Sequence, residues 1–194
     1  KIKSLRFYNS ADYLSEFSVN TLEDVLEAFK GKTLLNIDRA WDIFPGLFDY
    51  LSQFNMAEQI LVKSPVVKKV LNFVEQSDHK FMYMPIIREV AEVEAVLKYQ
   101  QINMVGMELV TDNSKSGLLD DGLISRIKEL GLFAWVNAVT FNETNVLYAG
   151  MDDNTSIIND PNDGWGKLMD KGFQVILTDW PGLLYKYRLE RFGV

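Results

Sequence analysis

Polar side chains close nearly every apolar run in this chain, and those are the positions where a parallel α/β sheet presents chemistry. Asp38 ends Thr33-Leu34-Leu35-Asn36-Ile37-Asp38, and Lys63 and Ser64 end Ile60-Leu61-Val62-Lys63-Ser64. Glu108 follows Gly106-Met107, and Trp135 and Asn137 share one face of Phe133-Ala134-Trp135-Val136-Asn137 by the two-residue period of a strand. Thr178 and Asp179 end Phe173-Gln174-Val175-Ile176-Leu177-Thr178-Asp179, just before Trp180-Pro181. A strand-end carboxylate such as Asp38 suits a hard divalent cation, Ca²⁺ or Mg²⁺, with an ion pair to Arg39 or a structural cap as the plainer use. An ammonium at the Lys63 position would hold a phosphate as a point charge or else reach out to solvent at the rim. Glu108 can accept from a ligand or a substrate hydroxyl. Trp135 can wall an alcohol subsite or serve as core.

Other chemistry is excluded by what the chain does not contain. It has no cysteine, which rules out disulfides and thiolate catalysis. Its one histidine, His79, precedes a strand candidate, and in a barrel that end serves stability. Neither a Ser-His-Asp arrangement nor a His-rich metal site can therefore form at the strand C-termini.

Alternating elements must position these residues. Asn20-Thr21-Leu22-Glu23 reads as a helix start with Asn20 as N-cap and Glu23 at the third helical position; Leu22, Val25, Leu26 and Phe29 follow at helical spacing, and Gly31 stops the helix. Strands are predicted over 33–38, 59–64, 80–87, 104–110, 132–139 and 173–179. The first five are each followed by a helical pattern, over 44–54, 66–76, 90–100, 121–130 and 142–149. Phe44, Phe48, Tyr50, Leu47 and Leu51 recur at helical spacing and read as core. The Asn-, Asp- and Gly-rich stretch over 151–166 reads as a loop over the mouth, followed by a short helix at 167–171 and an amphipathic tail at 183–192.

Apolar strands alternating with helices imply a parallel sheet covered on both faces. A full (β/α) barrel has eight strands, two more than this count. An open doubly wound sheet is the competing arrangement, but the turn after the first strand, Asn36-Ile37-Asp38-Arg39-Ala40, lacks the glycines that such sheets place there.

At 194 residues and 47% apolar content, the chain reads as one domain spanning 1–194, large enough for a substantial core. The 27 acidic residues against 20 basic give a net charge of −7, which disfavours nucleic acid or an anionic membrane surface as main partner. No apolar run approaches the roughly 18 residues of a membrane span. Beginning at Lys1-Ile2-Lys3 without an initiator Met, the sequence is expected to be a processed product or a piece of a longer chain.

Four segments in order resemble the glycerophosphodiester phosphodiesterases, over about residue 20 to the end. Thr21-Leu22-Glu23-Asp24-Val25-Leu26 is similar to that family's Pro-Thr-Leu-Glu-Glu-X-Leu helix, with Asn20 in place of the proline, and Leu35-Asn36-Ile37-Asp38 to its third strand, Asn-Ile-Glu-X-Lys. Phe133-Ala134-Trp135-Val136-Asn137 is similar to the Val-Trp-Thr-Val-Asn of its seventh strand, and Val175-Ile176-Leu177-Thr178-Asp179-Trp180-Pro181 to the Gly-Ile-Ile-Thr-Asp-X-Pro of its eighth. The resemblance implies a (β/α)8 TIM barrel of which about six β/α units, strands 3–8, are present. It implies metal-assisted hydrolysis of small-molecule glycerophosphodiesters to an alcohol and glycerol phosphate, with a divalent cation, Ca²⁺ or Mg²⁺, as cofactor. By position Asp38 inherits a metal-ligand role, Trp135 the wall of the glycerol subsite, and Asn137, Thr178 and Asp179 the support of the mouth. The family's phosphate-contacting lysine falls on Ala40, and Lys63 one strand over is the expected replacement. Glu108 is grouped with Lys63, Trp135 and Asn137 as substrate-binding. The family's His-Arg-Gly, Glu-Asn-Thr, Glu-X-Asp and His-Asp motifs do not occur, so no catalytic residue is assigned and the chain by itself is expected to be inactive. A non-catalytic ligand-binding or structural shortened barrel is the alternative.

Overall fold

In the computed structural model, residues 4–140 and 146–193 are described. An antiparallel hairpin of β1 (Arg6–Tyr8) and β2 (Leu14–Ser18) comes first. Helix α1 (Leu22–Phe29) and then six β/α steps follow: β3 (Leu35–Ile37), α2 (Phe44–Ser52), β4 (Ile60–Pro65), α3 (Lys68–Gln76), β5 (Met82–Ile87), α4 (Val90–Val96), β6 (Gly106–Leu109), α5 (Asp121–Glu129), β7 (Phe133–Asn137), α6 (Lys167–Asp170), β8 (Val175–Leu177) and α7 (Pro181–Phe192). The larger sheet is parallel with order β3-β4-β5-β6-β7-β8, each strand lying beside the next in sequence. Strand order without a reversal, joined by crossovers of one hand, sends every connecting helix to the same face. The sheet is thereby curled into a half-barrel, consistent with a partial (β/α) barrel.

Both faces can be read from register. Ile60, Val62, Tyr83, Ile87, Met107, Leu109, Ala134 and Val136 join Leu26, Leu47, Phe48, Leu51, Leu71, Val93 and Ile127 of the helices in one buried cluster. In α2, Phe44, Leu47, Phe48 and Leu51 occupy positions i, i+3, i+4 and i+7, so one stripe is buried, at about 1.5–3 kcal/mol for each large side chain. Phe48 holds that stripe against its neighbours, with ring centroids 5.3 Å from Phe73 and 5.1 Å from Phe81 in edge-on geometry. On the opposite, concave face the register aligns Asn36 with Leu61, Lys63 with Met84, Ile86 with Glu108, Glu108 with Trp135, and Asn137 with Leu177.

The structure modifies several expectations. Thr21, one residue later than expected, is the N-cap of α1, and Asp24 closes the box: the Asp24 N–H donates to Thr21 Oγ1 and the Thr21 N–H to Asp24 Oδ2. Both Glu23 and Asp24 offer a carboxylate, and the threonine hydroxyl selects the one three residues ahead of it. The helix expected at 142–149 begins outside the described residues. Its remaining part is no α-helix: 148–150 make a single tight turn, with Tyr148 and Ala149 both at positive φ. Between 155 and 166 the expected loop contains two wide helical turns, Thr155–Asn159 and Asn162–Gly166.

Gly106 fixes how β6 and β7 meet on the concave face. A Cβ there would lie 2.3 Å from two carbons of the Phe133 ring, which crosses directly over it. Phe133 in turn lies 6.3 Å from Trp135, ring to ring. Gly106→Ala is expected to destabilise the fold by about 1–3 kcal/mol through overpacking, with part of the loss recovered in Gly106→Ala/Phe133→Ala. Urea denaturation checks both; an unchanged midpoint for Gly106→Ala would mean that Phe133 is not held over this glycine.

Candidate functional site

A chain of polar contacts crosses the concave face near the C-terminal strand ends. Lys63 Nζ donates to Glu108 Oε2 at 2.9 Å and lies 3.3 Å from Asp38 Oδ1. Asn137 Nδ2 donates to Glu108 Oε1 at 2.6 Å, and Trp135 Nε1 donates to Asn137 Oδ1 at 2.9 Å. The Trp135 ring also faces Lys63, with Nζ 5.8 Å from its centroid, within cation–π range. Five residues, in β4, β6 and β7 and just after β3, are thus joined, and apart from the Trp135–Asn137 pair on one strand face no sequence spacing encodes their contacts.

Burial sets the energetics of this chain. Lys63 is 2% exposed and Glu108 3%, so each charge would be costly without the other. Asp38, whose side chain is 47% exposed, is a solvated second partner; its Oδ1 also accepts the Arg39 N–H at 2.8 Å. Lys63 therefore neither snorkels to the rim nor presents a bare charge, because Glu108 sits opposite it on the curled sheet. Asn137 orients the second Glu108 oxygen, and Trp135 orients Asn137 by taking its amide oxygen.

These groups line a cavity of about 950 Å³, with Asp38, Lys63, Arg88, Glu108, Asn137 and Leu177 on its walls. Trp135 reaches the cavity through Asn137 and Lys63. What the arrangement can do is bind: Asn137 and Glu108 face it with hydrogen-bonding groups suited to hydroxyls, beside a fixed ammonium. A divalent cation finds one carboxylate, Asp38, next to the Lys63 ammonium, and among the described residues no group of three or more His, Asp or Glu is arranged to hold a metal. The described residues do not by themselves fit such an ion.

Thr178 and Asp179 lie apart from the cavity-lining chain and act through a residue that the sequence did not single out. Asp153 is 2% exposed; its Oδ1 accepts from Trp165 Nε1 and Thr178 Oγ1, each at 2.7 Å, and its Oδ2 accepts the Asp179 N–H at 2.9 Å. Its own N–H donates to the Ala138 carbonyl at 2.7 Å. Asp153 thus ties the 151–166 segment to the end of β8 through its carboxylate and to the end of β7 through its N–H. In sequence Asp153 is one of several acidic residues in a polar loop, and only its neighbour across the fold marks it.

Tyr148 was likewise not singled out. Its hydroxyl donates to the Leu109 carbonyl at 2.7 Å and accepts the Asn137 N–H at 3.3 Å, bracing β6 and β7 from the helical side. Burial pushes this phenol well above its ordinary range; the Asn137 N–H opposes the shift and the Glu108 charge adds to it. Tyr83, whose hydroxyl is 2.7 Å from Ser64 Oγ, is pushed up to about 12 by burial, with the Ser64 contact working against it. Both are held as neutral hydrogen-bonding groups. His79 stands at the far end of the sheet, 3.9 Å from Asp49.

Comparison with known families identifies one match: a family described as a domain of unknown function, over residues 83–188. The matched stretch carries Glu108, Trp135, Asn137, Asp153, Thr178 and Asp179 and leaves Asp38 and Lys63 outside it. Comparison with curated proteins finds no match.

Removing one partner of the buried pair should expose its cost. Lys63→Met is expected to destabilise the protein by about 3–5 kcal/mol, because Glu108 is left buried without its counter-charge. Glu108→Gln is expected to cost less, since Lys63 keeps Asp38. Urea midpoints check the order; the reverse order would mean that Asp38 does not compensate Lys63 once Glu108 is neutral.

Proposed function

This chain belongs to the DUF4996 family, a domain of unknown function, and we propose that it forms the substrate-holding wall of a glycerophosphodiester phosphodiesterase-like TIM barrel, corresponding to strands 3–8. What carries the reading is the Lys63–Glu108–Asn137–Trp135 chain, which converges on one cavity at the C-terminal strand ends, where barrels of this kind hold their substrates. Asn137 offers an amide to the glycerol moiety and Glu108 accepts from its hydroxyls, while Trp135 acts behind them by holding Asn137 and lying beside Lys63. Lys63 holds Glu108 in place through their hydrogen bond. Asp153 acts from behind, holding Thr178 and the Asp179 backbone so that the β8 end keeps its position beside Asn137.

Hydrolysis of a phosphodiester needs a general acid for the leaving alcohol and a base for the attacking water. His79 lies at the opposite end of the sheet and does not line the cavity, so on this reading the histidines that the resemblance implies for those roles come from outside the described residues. A divalent cation, Ca²⁺ or Mg²⁺, would polarise the phosphoryl group in such a reaction. Asp38 would supply one ligand to it, and the others would also have to come from elsewhere.

A second reading is favoured by the ion pair itself. Lys63 and Glu108 satisfy each other, which suits a cavity that binds a ligand without transforming it. The two readings separate in one experiment on the product of the complete reading frame. Glycerophosphocholine is supplied with Ca²⁺ or Mg²⁺ and followed by ³¹P NMR. Release of glycerol phosphate, with KM raised at least tenfold in Trp135→Ala, is the expected result. Binding without release supports the second reading, and neither binding nor release overturns both.

A further inference from the structure

The charges around the cavity are unevenly satisfied. Three cations line it, Arg39 just after β3, Lys63 in β4 and Arg88 just after β5, together with the carboxylates Asp38, Glu89, Glu108 and Asp112. Lys63 is neutralised by Glu108 and Asp38. Glu89 is committed to the start of α4, where it accepts the Glu92 N–H while the Glu92 carboxylate takes the Arg88 and Glu89 N–H groups. Asp112 follows β6, the strand beside β5, and among the described residues it makes no ion pair with either arginine. Among the described residues neither the Arg39 nor the Arg88 guanidinium has an ion-pair or hydrogen-bond partner.

The Arg39 backbone supplies a second, independent observation. Its φ is +53°, a left-handed conformation that a non-glycine residue adopts at a cost, and Asp38 Oδ1 holds it there by accepting the Arg39 N–H at 2.8 Å. Glycine would fit this backbone without strain, yet an arginine occupies it at the rim of the cavity.

We infer that Arg39 and Arg88 form an anion subsite on the β3–β5 side of the cavity, taking the phosphoester oxygens of the ligand. Guanidinium groups suit this task because their planar array of donors can bond two oxygens at once without desolvating a compact charge. With the anion on this side, the ligand's hydroxyl-bearing end extends toward Asn137 and Glu108 on β7 and β6. Lys63 serves as the fixed divider between the two halves rather than as the anion contact. The inference rests on the cavity being the substrate site and refines that reading by giving the ligand a direction.

Calorimetric titration of inorganic phosphate and of sn-glycerol 3-phosphate into the wild type, Arg39→Gly and Arg88→Met tests it. Arg39→Gly also relieves the backbone strain, so its unfolding midpoint should be unchanged or raised, which separates loss of binding from loss of fold. Both ligands are expected to bind, with Kd raised at least tenfold in each variant and glycerol phosphate bound more tightly than phosphate. Unchanged affinity in both variants, or no binding to the wild type, overturns the subsite. If phosphate binding depends on the arginines but glycerol adds nothing, the subsite stands and the glycerophosphodiester reading falls. If glycerol phosphate binds with no dependence on either arginine, the reading stands and the subsite falls.

Discussion

A buried ammonium needs a buried carboxylate, and that requirement organises the concave face of this protein. Lys63 is carried on a strand buried throughout residues 60–64, so its charge cannot move away from the sheet without taking β4 with it. Glu108 reaches it from two strands away, and the curl of the sheet shortens the span; across a flat sheet, strands about 4.8 Å apart would leave the two positions roughly 10 Å apart. Curvature and charge pairing are therefore coupled. The same closeness lets Asn137 reach the other Glu108 oxygen and lets Trp135 lie beside Lys63.

Around this pair the fold separates support from contact. The contact residues sit on the concave face, with side chains directed at the cavity. Their supports come from behind or from the side. Tyr148 braces the β6 and β7 backbones, Gly106 gives Phe133 the space to lie next to Trp135, and Asp153 fixes the β8 end through Thr178 and the Asp179 N–H. Each support is buried and uses neutral or fully satisfied polar groups, so none competes with a ligand for the cavity. Among the described residues, the Arg39 and Arg88 guanidinium groups have no protein partner and are exposed at the rim, where water can solvate them until a ligand replaces it.

Much of the element plan was legible because it follows from local pattern. Six apolar runs became six parallel strands, and Phe44, Leu47, Phe48 and Leu51 buried one face of a helix, since periodicity alone determines which side of an element is apolar. Boundaries were less secure. The Asn20 start moved to Thr21 because two adjacent residues both can cap, and only the backbone geometry chooses between them. The antiparallel hairpin at Arg6–Tyr8 and Leu14–Ser18 was not foreseen, because its residues show neither a helical nor a cleanly alternating apolar pattern. Asp153 and Tyr148 were missed for a related reason: a buried polar residue in a loop is distinguished only by partners distant in sequence.

By itself the sequence determined which residues end the strands, and so the cast of the site: Asp38, Lys63, Glu108, Trp135, Asn137, Thr178 and Asp179. It also bounded the chemistry by withholding cysteine and all but one histidine. Only the tertiary structure decided how those residues are used. Lys63 and Glu108 are 45 positions apart and Thr178 and Asp153 are 25 apart, and no local preference fixes such a pairing. It arises when a curled sheet brings strand ends into one low-dielectric space, where an unpaired charge is too costly to keep.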